Sequence, residues 1–426
     1  MARADGLFRS EALGGGLDLH LLRTKTFKTV AARLVLHADL DAGTAARALV
    51  PRVLQRGTRS FPDMRSLQSE LDRRFGAGLS GNTGKMGERH LVEFSVDWLA
   101  DKIAGRGLLV EMFDLLAEML HEPATDPQGA LREDYVLQER KVQADEAAAI
   151  FDDKGRYARH RLIEAMCKSE PYARPAIGRA QEILALDAAQ VRRAHRRLID
   201  RAPADLFIVG DVTWSQALRG ARRLGLHSRS VPARLKRTRR GRAGRVRTVR
   251  ERQPVGQGKL AMGFRTSVRL SHRLAPALAF MNALYGGTAT GKLFKVVRER
   301  ESLCYSIASR IEWTKGLLVV QAGIEPEKYA QARRLILRQL ADLGAGRVSK
   351  DEMFYARQAI QHGLRSLVDS PRGLIEFALQ RAVNGAPADL EGLKRSIDAV
   401  TVKDVTRAAR TVKLDTVFFL TDEERR

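Results

Sequence analysis

Apolar and polar positions alternate over residues 91–98 and again over 303–311, which predicts half-buried strands in both halves of the chain. The second run turns at Thr314-Lys-Gly316 and returns through 317–324, so the two runs form a hairpin. Further strands are expected at 17–22 and 30–36, separated by a polar Arg-Thr-Lys-Thr turn, and at 206–211 and 260–264. Helical spacing marks 108–120, 131–150, 157–167, 188–199, 275–284, 327–343, 352–367 and 374–383, and another helix follows Phe61-Pro62. Several ends carry stop or start chemistry. Asp187 is placed as an N-cap, Ser349 and Glu352 as a capping box, and Gly344 and Asn384-Gly385 as terminators. One segment is in conflict: residues 45–58 have helical apolar spacing but include Pro51, and an interior proline costs a helix about 3 kcal/mol. Either that helix is kinked or it begins late, with Pro51 in its first turn.

The pattern repeats. Ile183, Leu186, Val191, Ala194, Arg196 and Leu198 are matched 214 residues later by Ile397, Val400, Val405, Ala408, Arg410 and Val412, and each helix leads into a closing strand. Ala45, Val53, Leu54, Gly57 and Thr58 pair at an offset of 230 with Ala275, Ala283, Leu284, Gly287 and Thr288. The order strands, helix, strands, helices, strand therefore occurs twice. The expected fold is α+β: two tandem domains of one architecture, each an antiparallel sheet with helices packed on one face. The expected boundaries are 1–228 for the first domain, 229–256 for a basic linker and 257–426 for the second.

Composition adjusts this picture only slightly. A chain of 426 residues exceeds one ordinary core, and 44% hydrophobic with 29% charged residues describes a globular protein. No stretch of about 18 consecutive apolar residues predicts a membrane span, and the first ten residues lack a signal-peptide run, so a cytoplasmic location is expected. Cys167 and Cys304 form no Cys-x-x-Cys pair and read as small buried apolar residues. The net charge of +24 invites a nucleic-acid reading, but basic residues alternate with acidic ones along most helices. The exception, 234–252, lacks aromatics to stack on bases, so no nucleic-acid partner is expected, and the run reads as a solvated linker or an edge for an acidic partner.

The repeat and its corner residues resemble the pitrilysin/insulinase peptidase family, the inverzincins, which includes mitochondrial processing peptidase and the cytochrome bc1 core proteins. The resemblance covers nearly the whole chain. In that family a first-half helix carries H-x-x-E-H just before a K/R-G-T, and Arg56-Gly57-Thr58 stands in that place here. The three motif positions are then Ala48, Pro51 and Arg52. Zinc chemistry needs two imidazoles one helical turn apart and a glutamate to take a proton from metal-bound water, and these residues supply neither. Arg52 also puts a cation where the metal cation would sit. The family uses two glutamates on a later helix, and Glu139 and Glu146, seven residues apart on one helix face, stand in similar positions. Without histidines they read as a salt-bridged or solvated face. The stretch 152–172, with Gly-Glu-Arg-His90 upstream, looks closest to the inactive bacterial branch that lacks the zinc motif.

The second half keeps its motif. Leu-Tyr285-Gly286-Gly287-Thr-Ala-Thr-Gly-Lys-Leu-Phe-Lys-Val-Val-Arg298-Glu-Arg-Glu-Ser-Leu-Cys-Tyr305 is similar to the family pattern L-G-G-x-x-x-S-x-L-F-x-x-x-R-E-x-x-x-L-x-Y, with Tyr285 as a departure ahead of the glycines. A guanidinium and a phenol can both donate to a substrate carbonyl and stabilise charge as water adds. The bland alternative pairs Arg298 with a carboxylate and leaves Tyr305 as an ordinary strand residue. The resemblance implies a non-catalytic subunit of a heterodimeric zinc metallopeptidase, with a homologous partner holding the zinc and no cofactor bound by this chain. Arg298, Tyr305, Gly286 and Gly287 would meet the peptide substrate. The alternative is a structural or peptide-holding scaffold like the bc1 core proteins, with no proteolysis.

Overall fold

The computed structural model describes residues 6–230 and 232–422. These pack into two compact units that are not contiguous in sequence. The first draws on Met1–Ala148, Arg174–Arg237 and Val368–Ala382, the second on Ala149–Ala173, Thr238–Leu367 and Val383–Arg426. Each unit therefore takes a piece from the other half of the chain, which a boundary at 228 does not anticipate.

The first unit is built on a six-stranded sheet of β1 (Arg9–Gly14), β2 (Leu17–Arg23), β3 (Thr29–Asp39), β4 (Gly78–Met86), β5 (Arg89–Leu99) and β6 (Ala204–Gly210) in the order β1-β2-β6-β3-β5-β4. The second has β7 (Arg247–Arg252), β8 (Gly258–Arg265), β9 (Cys304–Glu312), β10 (Leu317–Ile324) and β11 (Lys413–Thr421) in the order β7-β11-β8-β10-β9. Without β1, the two orders are the same, and so are the directions. The β2–β6 and β7–β11 pairs are parallel, while every other pair is antiparallel. The internal repeat is thus a repeat of topology, with one parallel pair per sheet added to the antiparallel expectation.

The repeated helices begin alike. Asp187 accepts from the Gln190 N–H and Thr401 from the Asp404 N–H, each in a capping box, so Ala188–Arg201 and Val402–Arg410 start 214 residues apart with the same device. One face of each buries Val191 and Leu198, or Val405 and Ala409, in its unit's core. Burial of this kind stabilises by roughly 25 cal/mol per Å² of apolar surface.

The sheet of the second unit is covered on its other face too. The helix Lys154–Met166 lays Tyr157, Ala158, Leu162, Ile163 and Met166 against Ala261, Val319, Phe418 and Leu420. In the first unit, Glu376 of the helix Pro371–Val383 pairs with Arg33 of β3 at 3.0 Å, and Arg372 pairs with Asp97 of β5 at 2.8 Å. Helices on one face alone is therefore an incomplete description.

The basic run is more than a connector. Its residues 247–252 form the edge strand β7, where Arg247, Arg250 and Arg252 point outward. Charged edges of this sort resist pairing with other chains. Arg240 is tied into the β9–β10 hairpin, donating to Thr314 O at 3.1 Å and also to Trp313 O. Both cysteines are buried.

Candidate functional site

In the first unit the helix Thr44–Leu54 runs through Pro51 without ending, and Gln55 N–H still donates to Pro51 O at 3.2 Å. Proline gives up one helical hydrogen bond and fills the space beside β4. A Cβ built on Gly81 would lie 2.7 Å from Pro51 Cβ, and Gln55 Nε2 bridges Pro51 O and Gly81 O at 2.8 and 3.1 Å. Gly81 is thus required by close approach.

Ala48, Pro51 and Arg52 line one cavity of about 340 Å³ together with Glu139 and Glu146 of the helix Glu133–Ala148. Arg52 hydrogen-bonds to Glu146 and lies 3.9 Å from Glu139, while Arg56 donates to Glu139 at 3.3 Å and to Gln138. Burial pushes the Glu139 carboxyl above its ordinary value, and the nearby Arg56 and Arg52 pull it back. The two carboxylates are therefore bridged by guanidinium groups, Glu139 half-buried and Glu146 half-exposed.

The zinc implied by the family resemblance finds no set of donors here. Alanine and proline offer no side-chain donor, and Arg52 occupies the position between the carboxylates, so the residues present do not fit the metal. Among the described residues no group of three or more His, Cys, Asp or Glu side chains is arranged to hold a metal ion. His90 is spent on structure: it is fully buried, its Nε2 lies 2.9 Å from Ala176 O, and burial together with Arg47 lowers it to about 3. A neutral imidazole there ties β5 to the segment before the helix Ala180–Leu184.

In the second unit the corner opens into two wide helical turns, Ala283–Gly287 and Leu293–Arg300, of the π type often found where a helix bulges at a site. Gly286 is buried. A Cβ on it would meet Leu293 Cδ1 at 2.7 Å and Ser309 Oγ at 3.1 Å, and one on Gly287 would meet Asn282 Nδ2 at 2.5 Å. Both glycines thus have a packing reason in addition to any role toward a ligand. Tyr285, the departure from the family pattern, is fully buried and donates to Ile336 O at 2.9 Å, so it anchors the turn.

Arg298 and Tyr305 come together, one from the wide turn and one from β9. The Arg298 guanidinium carbon lies 5.5 Å from the centre of the Tyr305 ring and 4.4 Å from that of Phe294. Tyr305 is 79% exposed, far more than any other large apolar side chain described. Arg298 makes no ion pair or side-chain hydrogen bond among the described residues, so the expected structural alternative, an arginine neutralised by a carboxylate, is not what the fold builds. Beside them the Cys304 thiol is pushed up to about 11 by burial, against the pull of Arg298, and is a packing residue.

The family pattern singled out Arg298, Tyr305, Gly286 and Gly287 in this unit and Ala48, Pro51, Arg52, Glu139 and Glu146 in the first. What it missed is the pairing of Arg56 with Glu139 and the second stack on the same turn, where Lys295 lies over Tyr355 at 5.6 Å. Tyr355 is distant in sequence, and only its place on the exposed face of the helix Lys350–Val368 would have hinted at it.

Comparison with known proteins agrees with this geometry. A family model described as "Peptidase M16 inactive domain" matches residues 185–360. The Bacillus subtilis protein named "Probable inactive metalloprotease YmfF" is 34% identical over 416 residues, 96% of this chain and 97% of that one. A conserved protein from Enterococcus faecalis V583 has the same fold, with a TM-score of 0.91 at 22% identity over 99% of this chain and 100% of that one. A Pseudomonas fluorescens structure described as a peptidase M16 inactive domain follows at a TM-score of 0.80 and 15% identity, covering 98% of each chain. With a matching domain model and a relative similar over nearly its whole length, this chain belongs to the M16 (pitrilysin/insulinase) peptidase family, in its inactive branch.

Proposed function

We propose that this chain is the non-catalytic subunit of a two-chain zinc peptidase. A homologous partner bearing H-x-x-E-H supplies the metal and the general base. This chain supplies Arg298 and Tyr305, which donate to the carbonyl of the bound peptide and favour the charge that develops as water adds. Gly286 and Gly287 shape the turn that carries them. In this reading the pair works in the cytoplasm, and no nucleic acid takes part.

The observation that carries the proposal is the uncommitted state of Arg298. A guanidinium held on two aromatic rings, next to a phenol that is almost wholly exposed, keeps its donors free for a ligand. The closed Arg52–Glu146 and Arg56–Glu139 pairs support the other half of the reading, that no metal is needed from this chain. The test is co-purification with a zinc-bearing homologue of similar length, followed by metal assay and peptide cleavage. The proposal expects zinc in the partner and a rate for the mixed complex far above that of either chain. Full activity of the partner alone would refute it.

A scaffold without proteolysis, like the bc1 core proteins, is the second reading. It is favoured by the same closed arginine–glutamate network, which serves stability as well as it serves a lost site. It expects no zinc-bearing partner and no cleavage in any pairing.

A further inference from the structure

The wide turn Leu293–Arg300 and the residue before it carry four cations, Lys292, Lys295, Arg298 and Arg300, and two of them are neutralised locally. Lys292 pairs with Glu352 at 2.7 Å and Arg300 with Glu301 at 3.1 Å. Glu352 is engaged by Lys292 through one oxygen and by Ser349 N–H at 2.9 Å through the other, and among the described residues it makes no ion pair with Lys295. Lys295 and Arg298 therefore have no carboxylate partner among the described residues, and each rests on aromatic rings instead.

Exposed rings border both cations. Tyr305 is 79%, Phe354 55% and Tyr355 49% exposed, and Phe354 meets Tyr355 edge-on at 5.5 Å. Single exposed aromatics are common on protein surfaces, whereas several bordering two unneutralised cations make a binding surface. A cation over a ring keeps its outer side open to an anion, and the exposed rings offer apolar surface for the chain that carries it. The ligand that fits is a carboxylate carried on a chain with apolar groups to cover the rings.

We propose that Lys295, Phe354 and Tyr355, beside Arg298 and Tyr305, form a subsite for a carboxylate of an extended peptide, so that this chain selects peptides with an acidic residue near the bond presented to Arg298. This rests on the reading that Arg298 and Tyr305 meet a peptide. The subsite uses Lys295 as its charge, leaving Arg298 for the peptide carbonyl.

The test measures fluorescence anisotropy of the full chain with three labelled peptides in about 150 mM salt, where long-range attraction to the basic protein is screened. The peptides carry Glu with an amidated C-terminus, Gln with an amidated C-terminus, or Gln with a free C-terminus. The expected result is binding of the Glu peptide about tenfold tighter than of its Gln amide, a difference worth about 1.4 kcal/mol. Lys295→Gln and Tyr355→Leu should each reduce that ratio to below about threefold without weakening the Gln amide, and the exposed Lys403→Gln should leave it intact. A gain confined to the free C-terminus would assign the subsite to chain ends and overturn the side-chain preference. An equal loss with Lys403→Gln would reduce the preference to bulk charge and overturn the subsite. If Arg298→Met weakens every peptide while Lys295→Gln leaves the ratio unchanged, the subsite fails and the role of Arg298 stands. If Arg298→Met changes no affinity, the role of Arg298 fails, and the subsite with it.

Discussion

The helix–strand corners of the two units share one topology and opposite electrostatics. At the first, every charge has an internal partner: Arg52 with Glu146, and Arg56 with Glu139. At the second, Arg298 and Lys295 lie on aromatic rings without a carboxylate, and Tyr305 stands in solvent. A surface that meets nothing gains by neutralising its own charges, because an uncompensated cation at a half-buried position is costly. On the proposed reading, closure at one corner and openness at the other separate a retired site from one that receives a ligand.

The sharpest way to break this contrast is to return the lost donors. Ala48→His, Pro51→Glu and Arg52→His together should bind one zinc per chain where the parent binds none, as read by metal analysis after dialysis. A folded triple variant without zinc would mean that more than the donors has gone.

The next effect is on stability. Gly286→Ala should cost about 2 to 3 kcal/mol, because its Cβ would meet Leu293 and Ser309 within the second core. Gly84→Ala on β4, where a Cβ meets only the Glu93 carboxylate at 3.8 Å, should stay within about 0.5 kcal/mol. Urea melts of both variants give the comparison, and equal losses would contradict the packing account.

Arg52→Met should cost about 1.5 kcal/mol near neutral pH, a value between those of exposed and buried ion pairs, since Arg52 is partly exposed. Its pH dependence is more diagnostic. Burial raises the folded-state value of Glu139 above that of the unfolded chain, so the folded protein holds that proton more tightly. That contribution favours folding at low pH and is lost as pH rises through the folded value. Removing Arg52 takes away one opposing pull and raises the value further. The penalty measured by melts should therefore be larger at pH 7 than at pH 4, and a penalty independent of pH would show that Arg52 acts only by packing.

The smallest effects belong to the repeat. Asp187→Ala and Thr401→Ala should each cost about 1 kcal/mol, since each removes the same cap from the same helix of its unit.

Much of this architecture was legible because its signals are local. The hairpin at 303–324 alternates apolar and polar residues and turns at Gly316, whose positive φ of 72° suits glycine. The 214-residue offset carried the repeat because the caps and apolar faces recur together. Strands β1, β4 and β7 were missed because β1 and β4 have no buried face, β4 being glycine-rich, and half of β7 is arginine, so none shows a clear alternation. Their strand form comes from the neighbours β2, β5 and β11. The exchange of segments between units was invisible for a similar reason. The apolar face of Lys154–Met166 shows that the helix is buried, but not against which sheet.

At the site, the family pattern gave the positions, and the second structural half added the chemistry. Spacing brings Arg298 and Tyr305 to one corner, but only the fold reveals that Arg298 lacks a carboxylate. Conversely, the family resemblance implied a loss of zinc ligands at Ala48, Pro51 and Arg52, while the capture of Glu139 by Arg56 depends on tertiary packing.

The most direct measurement of the central claim is the activity of the mixed complex with a zinc-bearing partner when this chain carries Arg298→Met or Tyr305→Phe. The account predicts a loss of about a hundredfold in kcat/KM for Arg298→Met, with zinc content and complex formation unchanged, and a smaller loss for Tyr305→Phe. Full activity in both variants would contradict it.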